Sequence, residues 1–293
     1  MPELPEIEII KSNLIPVMKN MILNDICLHR KNLRFNFPDN FRSSIKGKKI
    51  IKVYRRAKYL IIELEEDLAI ISHLGMSGSF IINNTTTYTS NTQKTKNPRH
   101  NHVTIYLEND TKTQKYCVIY NDPRRFGFMD LIQTSLIEKY HRFIKLGPEP
   151  TDSTFNTTYL TNQFYKKNRN LKNALLDQKL VSGLGNIYVC EALWRAKLSP
   201  IRNVRSLLQE NEMTNVKLAK LIEEIRNVLM EAINAGGSSL RDYVHLDGSM
   251  GCFQNSFAVY GKEGEACPSN CGQLIHKITQ AGRSTFYCPH CQK

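Results

Sequence analysis

Two short stretches hold most of the residues able to do bond chemistry. The chain begins MPELPE, so removing Met1 would leave Pro2 as a free secondary amine with the Glu3 carboxylate beside it. A plainer reading competes: Pro5 starts a helix, because a proline in the first turn lacks only an N–H that would have no partner there. At the other end, CPSNC and CPHC set Cys267, Cys271, Cys288 and Cys291 in a C-x3-C-x16-C-x2-C pattern within the last 27 residues. Four thiolates on two tight turns suit tetrahedral zinc, whose structural sites are closed and take sulfur readily. Two disulfides are the competing reading, and the lack of a secretory signal weighs against them. His276 or His290 could replace one thiolate.

Other stretches offer contacts. In YNDPRRFGF, 120–128, Pro123 and Gly127 bracket Arg124, Arg125 and Phe126. On nucleic acid an arginine can pair with a base edge while an aromatic ring wedges into the stack. A β-turn with its phenylalanine packed inward fits the same letters. HLGMSG, 73–78, offers Met76 as a second apolar tip or as a core methionine. SGLGN leaves free N–H groups at a helix start, with Asn186 as an added donor. That is a generic anion site, and on these residues alone a plain connection between helices is the stronger reading. Lys58 in RRAKYL falls within an expected strand, where a lysine ordinarily faces water. Arg283 is expected at the tip of a metal-bound hairpin whose strands are LIHKI and STFYC.

The elements that must position these groups follow from periodicity. Residues 5–18 place Ile7, Ile10, Leu14 and Val17 on one helical face. KKIIKVY, KYLIIEL, LAIISHL, SFII, HVTIYL and KYCVIY then read as short strands, a pattern of sandwiches and barrels. Residues 83–101 are polar and threonine-rich, an expected exposed loop, and GPEPTDST, 147–154, is an expected linker. Beyond it the period turns helical. NIYVCEALWRA, 186–196, is amphipathic, and residues 214–235 carry a stripe from Leu218 to Ile233 that Gly236-Gly237 ends. Cys27, Cys117, Cys190 and Cys252 read as core thiols. The cysteine-rich tail has too little apolar content for its own core, so a metal would have to hold it together.

The 293 residues carry 40 Lys and Arg against 27 Asp and Glu, a formal charge of +13. That excess points to a polyanionic partner. No apolar run reaches membrane-spanning length, so the expectation is a cytoplasmic monomer without a membrane anchor.

Taken in order, MPELPE, RRAKYL, HLGMSGS, NDPRRFG, LGPEP, GLGNIY, VYGKEGEAC and STFYCPHCQK resemble the formamidopyrimidine-DNA glycosylases across nearly the whole chain. The resemblance implies an α+β multidomain protein: an N-terminal catalytic β-sandwich flanked by helices (1–146), a helix–two-turn–helix DNA-binding domain (147–250) and a C-terminal zinc-finger hairpin (251–293). It implies excision of oxidised purines from duplex DNA, followed by β,δ-elimination through a Schiff base. Pro2 matches the nucleophile, Glu3 the general acid/base, Lys58 a catalytic lysine that contacts phosphate, and Glu6 a further active-site carboxylate. Met76, Arg124 and Phe126 match residues that fill the gap left by the extruded nucleotide. Lys172, Asn186 and Arg283 match phosphate contacts. One structural Zn2+ and double-stranded DNA with oxidised bases or abasic sites are the implied cofactor and partner. Two departures stand out: C-x3-C where the family usually shows C-x2-C, and the long loop around 83–98. The segment 243–257 matches a loop that covers the extruded base; an ordinary linker is its other reading. Competing functions are a non-catalytic damaged-DNA-binding zinc protein and an endonuclease VIII-like pyrimidine glycosylase.

Overall fold

The computed structural model describes residues 2–84, 97–208, 212–238 and 251–293. Met1, residues 85–96 of the threonine-rich loop and residues 243–250 of the 243–257 segment lie outside the described residues. The chain forms two compact units, Met1–Ile144 with Gly236–Gly251, and Lys145–Ala235 with Cys252–Lys293.

The first unit opens with helix α1 (Leu4–Met18), which has Pro5 in its first turn. Ile7, Ile10 and Leu14 are buried as the stripe requires; Val17 is only partly covered, and Met18 completes the face. Among the described residues eight strands follow: β1 (Ile22–Leu28), then, after the short helix α2 (Phe41–Ile45), β2 (Ile50–Arg56), β3 (Tyr59–Leu64), β4 (Leu68–His73), β5 (Ser79–Asn84), β6 (Asn101–Glu108), β7 (Lys115–Asn121) and β8 (Phe128–Gln133). They build two antiparallel four-stranded sheets, ordered β1-β6-β7-β5 and β2-β3-β4-β8. Alternate residues point inward. Ile26, Val103, Ile105 and Val118 from one sheet meet Val53, Leu60, Ile62 and Ile70 from the other, together with the α1 stripe, in a single apolar cluster. Each such side chain contributes about 1.5–3 kcal/mol by leaving water.

Two of these strands are absent from the sequence reading. In β1, ILNDICL, the ladder to β6 slips between Leu23 and Asp25, and that bulge breaks the alternation. The other, β8, follows directly on a loop of arginines. The expected strand KYLIIEL also needs correction, because it begins at Tyr59. Ala57 and Lys58 form the tight turn between β2 and β3, with Ala57 at φ +52°. Lys58 is therefore set by a turn and not by a strand face.

The second unit is helical: α3 (Thr157–Tyr165), α4 (Leu171–Leu175), α5 (Asn186–Arg195), α6 (Val204–Leu208) and α7 (Glu212–Asn234). Leu218, Leu221, Ile222, Ile225, Val228 and Leu229 are buried along α7 against α5 and its neighbours. The 147–154 segment is no free linker. Gly147 donates to the Gln178 carbonyl at 2.9 Å, and the Arg226 guanidinium donates to the carbonyls of Pro150, Asp152 and Phe155. Phe253 and Phe257 pack into the same core. Of the four dispersed thiols, Cys117 and Cys190 are buried, but Cys27 is half-buried and Cys252 exposed, which corrects the core reading for those two.

The tail forms a hairpin, β9 (His276–Gln280) and β10 (Arg283–Tyr287), turned by Ala281 and Gly282 at φ +47° and +72°. Two successive left-handed residues match the right-handed twist of a two-residue hairpin. Arg283 stands exposed beside the turn, as expected, although β9 begins two residues later than LIHKI suggests. Among the described residues no helix is long and apolar enough to cross a membrane.

Candidate active site and metal centre

The head of α1 is a capping box. Glu6 Oε2 accepts the Glu3 N–H at 2.8 Å, and the Glu3 side chain accepts the Glu6 N–H. Two helix-end donors that would otherwise lack partners are satisfied reciprocally. Glu6 Oε1 is engaged as well, accepting the Ser238 N–H at 3.0 Å and the Ser238 hydroxyl at 2.9 Å. Glu6 is thereby held from both sides and holds Glu3 in turn. Pro2 is buried, and so are Glu3 and Glu6, each 2% exposed. Burying a charge is costly unless it is paired, and the capping box and Ser238 supply that pairing for Glu6.

Lys58 is buried in its turn at 6% exposure. It lies near His73, the last residue of β4. Burial first and the Lys58 cation second push the His73 imidazole down to about 4, so it is neutral at physiological pH. Its Nδ1 accepts the Gly75 N–H at 3.0 Å, which leaves the proton on Nε2 as a donor. The ring stacks on Phe128 at 5.6 Å and 11°. His73 has no role in the sequence reading. Its signal was a histidine closing an otherwise apolar strand just before LGMSG.

The two loops that carry Met76, Arg124 and Phe126 are joined through Asp122. This wholly buried carboxylate accepts the Ser77 hydroxyl at 2.6 Å, the Tyr120 hydroxyl at 3.2 Å and the Gly127 N–H at 2.9 Å. Ser77 Oγ accepts the Arg124 N–H at 3.1 Å, closing the link between loops. There is no room for slack. A Cβ at Gly127 would meet the Tyr120 hydroxyl at 1.8 Å, and one at Gly75 would meet the Phe126 carbonyl carbon at 2.3 Å. On this base Phe126 stands 43% exposed with the Arg124 guanidinium 5.0 Å from its ring centre, while Met76 is half-buried. The inward-packed reading of Phe126 is thus overturned. Asp122 itself was missed, because the partner that makes it a link between loops, Ser77, is 45 positions away.

In the second unit Gly185, in extended backbone, caps α5, and Asn186 opens it. Asn186 Nδ2 donates to the Ser284 carbonyl at 3.0 Å. Lys172, wholly buried, donates to that same carbonyl at 2.9 Å and to Thr285 Oγ1 at 2.6 Å. Lys172 and Asn186, matched above with phosphate contacts, both hold the start of β10 here, and Arg283 is the exposed member of the three.

The four tail sulfurs lie within 4.8 Å of one another. The Cys267–Cys291 and Cys271–Cys288 separations are 3.9 and 3.6 Å. A disulfide would need about 2.05 Å, whereas Zn–S bonds of about 2.3 Å at tetrahedral angles put sulfurs about 3.8 Å apart. The geometry fits zinc and excludes two disulfides. His276 and His290 are exposed, outside the thiolate cluster. The additional residue in C-x3-C is absorbed by Asn270, at φ +52° with its N–H on the Cys267 carbonyl at 2.9 Å. Around the sulfurs Val259, Ile275 and Phe286 pack on Cys190 and Trp194 of α5. Glu191, fully buried on the same helix, accepts the N–H groups of Ala258, Val259 and Tyr260. The tail therefore borrows its core from α5.

Family models match the chain in three consecutive parts: the formamidopyrimidine-DNA glycosylase N-terminal domain over residues 1–129, the H2TH domain of the same enzymes over 146–244, and a zinc finger found in FPG and IleRS over 264–293. The formamidopyrimidine-DNA glycosylase of Agrobacterium fabrum is 48% identical over 300 residues, covering both chains completely. The wild-type Lactococcus lactis Fpg in complex with DNA containing N7-benzyl-Fapy-dG has a TM-score of 0.84 at 36% identity, again over 100% of both chains. The same enzyme with DNA containing an abasic site has a TM-score of 0.83 at 34% identity over the full length of each. With the buried proline–glutamate start, the four-sulfur knuckle and a match along its whole length, this chain belongs to the formamidopyrimidine-DNA glycosylase family.

Proposed function

We infer that the protein is a bifunctional DNA glycosylase and abasic-site lyase that removes oxidised purines from duplex DNA and cuts the strand through a Schiff base on Pro2. The observation that carries this reading is the start of α1, where Pro2 and Glu3 are buried together in a hydrogen-bonded turn. The Lactococcus enzyme's complexes, with a Fapy-type lesion and with an abasic site, correspond to the substrate and the product of base removal.

A base stacked in a duplex is out of reach, so it must be flipped out at a cost of a few kcal/mol. Met76 and Phe126 occupy the vacancy and Arg124 faces the orphaned base, all three carried on the Asp122 anchor. The neutral Pro2 amine attacks the anomeric carbon, the base leaves, and Glu3 protonates the sugar oxygen as the ring opens. Such proton transfer is worth about 10²–10⁴-fold. The resulting iminium has no N–H to lose, so it stays cationic and acidifies the neighbouring carbon for two successive eliminations. Lys58 lowers the proton affinity of the amine by its charge and holds a flanking phosphate. Glu6, with both oxygens engaged, orients Glu3. Arg283 and the start of α5 at Asn186 take phosphate, with Lys172 bracing the hairpin behind them. Cys267, Cys271, Cys288 and Cys291 hold a structural zinc. A cytoplasmic setting, which keeps thiols reduced, suits that site.

Borohydride trapping tests the reading. A duplex with 8-oxoguanine opposite cytosine is expected to yield a covalent adduct and β,δ-cleaved strands, and far more than one with thymine glycol. Salt-sensitive binding without adduct or cleavage would mark a DNA-binding protein only, and the reverse base preference a pyrimidine enzyme.

The Asp122 anchor gives a separate expectation. Asp122→Asn turns one acceptor into a donor that faces other donors. Excision from an intact duplex should slow about tenfold, since small misplacements of positioned groups carry such costs. Cleavage at a preformed abasic site, where no base remains to be extruded, should stay within about twofold. Equal loss on both substrates, measured in single turnovers, would contradict the anchor role.

A further inference from the structure

Lys58 sits in a turn, and a turn between two strands does not by itself fix where a lysine points. Arg55, three residues earlier on β2, adds a constraint on that turn. Its Nε donates to Glu8 Oε2 on α1 at 2.8 Å, and its Nη1 donates to the Ala57 carbonyl at 3.1 Å. That carbonyl belongs to the peptide leading directly into Lys58. One rigid guanidinium thus ties the helix that follows Pro2 and Glu3 to the turn that carries Lys58. The bracket is sheltered: the Arg55 side chain is 9% exposed, and Glu8 is also paired with Lys11. Ala57, at φ +52° and 1% exposed, has the left-handed backbone that such a hold must maintain against an alanine's own preference.

We propose that Arg55 is a positioning residue for the reaction, setting Lys58 relative to the Pro2–Glu3 turn through its paired bonds to Glu8 and the Ala57 carbonyl. This rests on the role of Lys58 given above. The guanidinium is needed for its shape as well as its charge: a lysine here would keep the charge but could not serve a carboxylate and a carbonyl from one rigid plane. Arg55 reaches the chemistry only through its neighbours, so its loss should appear in rate and not in binding.

The experiment is single-turnover excision and borohydride trapping on an 8-oxoguanine duplex, with the full-length protein, for Arg55→Lys, Lys58→Met and the double variant. Arg55→Lys is expected to lower the rate constant about tenfold, leaving the Kd for the lesion duplex within about twofold of the parent. In the Lys58→Met background the same change should have no further effect, because the group being positioned is gone. If Lys58→Met is itself fully active, the role of Lys58 fails, and the inference with it. If Lys58→Met is slow while Arg55→Lys is fast, or if the two losses multiply, only the Arg55 inference fails. Should Arg55→Lys not fold, Glu8→Gln loosens the helix side alone and carries the same comparison, with an expected loss of about threefold.

Discussion

Pro2→Gly is expected to slow formation of the borohydride-trapped adduct on the order of 10²-fold while leaving the melting temperature nearly unchanged. Glycine still offers a terminal amine, so the nucleophile is altered without being deleted. A primary amine condenses to an iminium that readily sheds its N–H proton and becomes a neutral imine. The proline adduct has no such proton and keeps its charge through both eliminations. Strand cleavage should therefore suffer at least as much as base release. Stability should hold, because Pro2 precedes the helix and Glu3 and Glu6 close the cap without it. A variant that keeps Met1, or is acetylated at its N-terminus, should give no adduct at all. Trapping by Pro2→Gly at the parental rate would remove Pro2 from the chemistry.

The second large effect is loss of the metal. Cys291→Ser should abolish zinc retention and weaken binding to the lesion duplex by at least about 10²-fold. Magnitudes decide this. Structural zinc in small fingers supplies about 10–16 kcal/mol of apparent binding energy. The buried apolar side chains around the sulfurs, chiefly Val259, Ile275 and Phe286, contribute about 5–9 kcal/mol together at 1.5–3 each. The metal is therefore the larger of the two contributions. Without zinc the hairpin cannot hold, and Arg283 goes with it. The bound ion should also be lost in acid, since protons compete for the thiolates. Zinc content by atomic absorption and Kd by fluorescence anisotropy check both points. A zinc-free variant with the parental Kd would contradict the account.

What the sequence made legible were features set by near neighbours in the chain. Alternation revealed six strands of the sandwich, and the 3.6-residue stripe revealed α1, α5 and α7. The spacing of the four cysteines favoured a metal over disulfides, and the sulfur separations then decided it. The failures have local causes too. In β1 a bulge at Asn24–Asp25 hid the period, and at Ala57 a left-handed backbone sits on a residue that does not advertise it. Where the reading went silent, the missing information was long-range. Asp122 gains its meaning from Ser77, 45 positions away, and Glu6 from Ser238, 232 positions away. Arg55 has no role in the sequence reading, because its partner Glu8 lies 47 positions away.

The bond from Glu6 to Ser238 has a consequence for biosynthesis. The unit that bears Pro2 is discontinuous in the gene product, with residues 145–235 translated between its two parts. At bacterial elongation rates of about 5–20 residues per second, Glu6 waits on the order of ten seconds before Ser238 is made. An N-terminal fragment ending at Ile144 lacks the Ser238 partner of Glu6, and its solubility is expected to improve when the 236–251 peptide is supplied in trans.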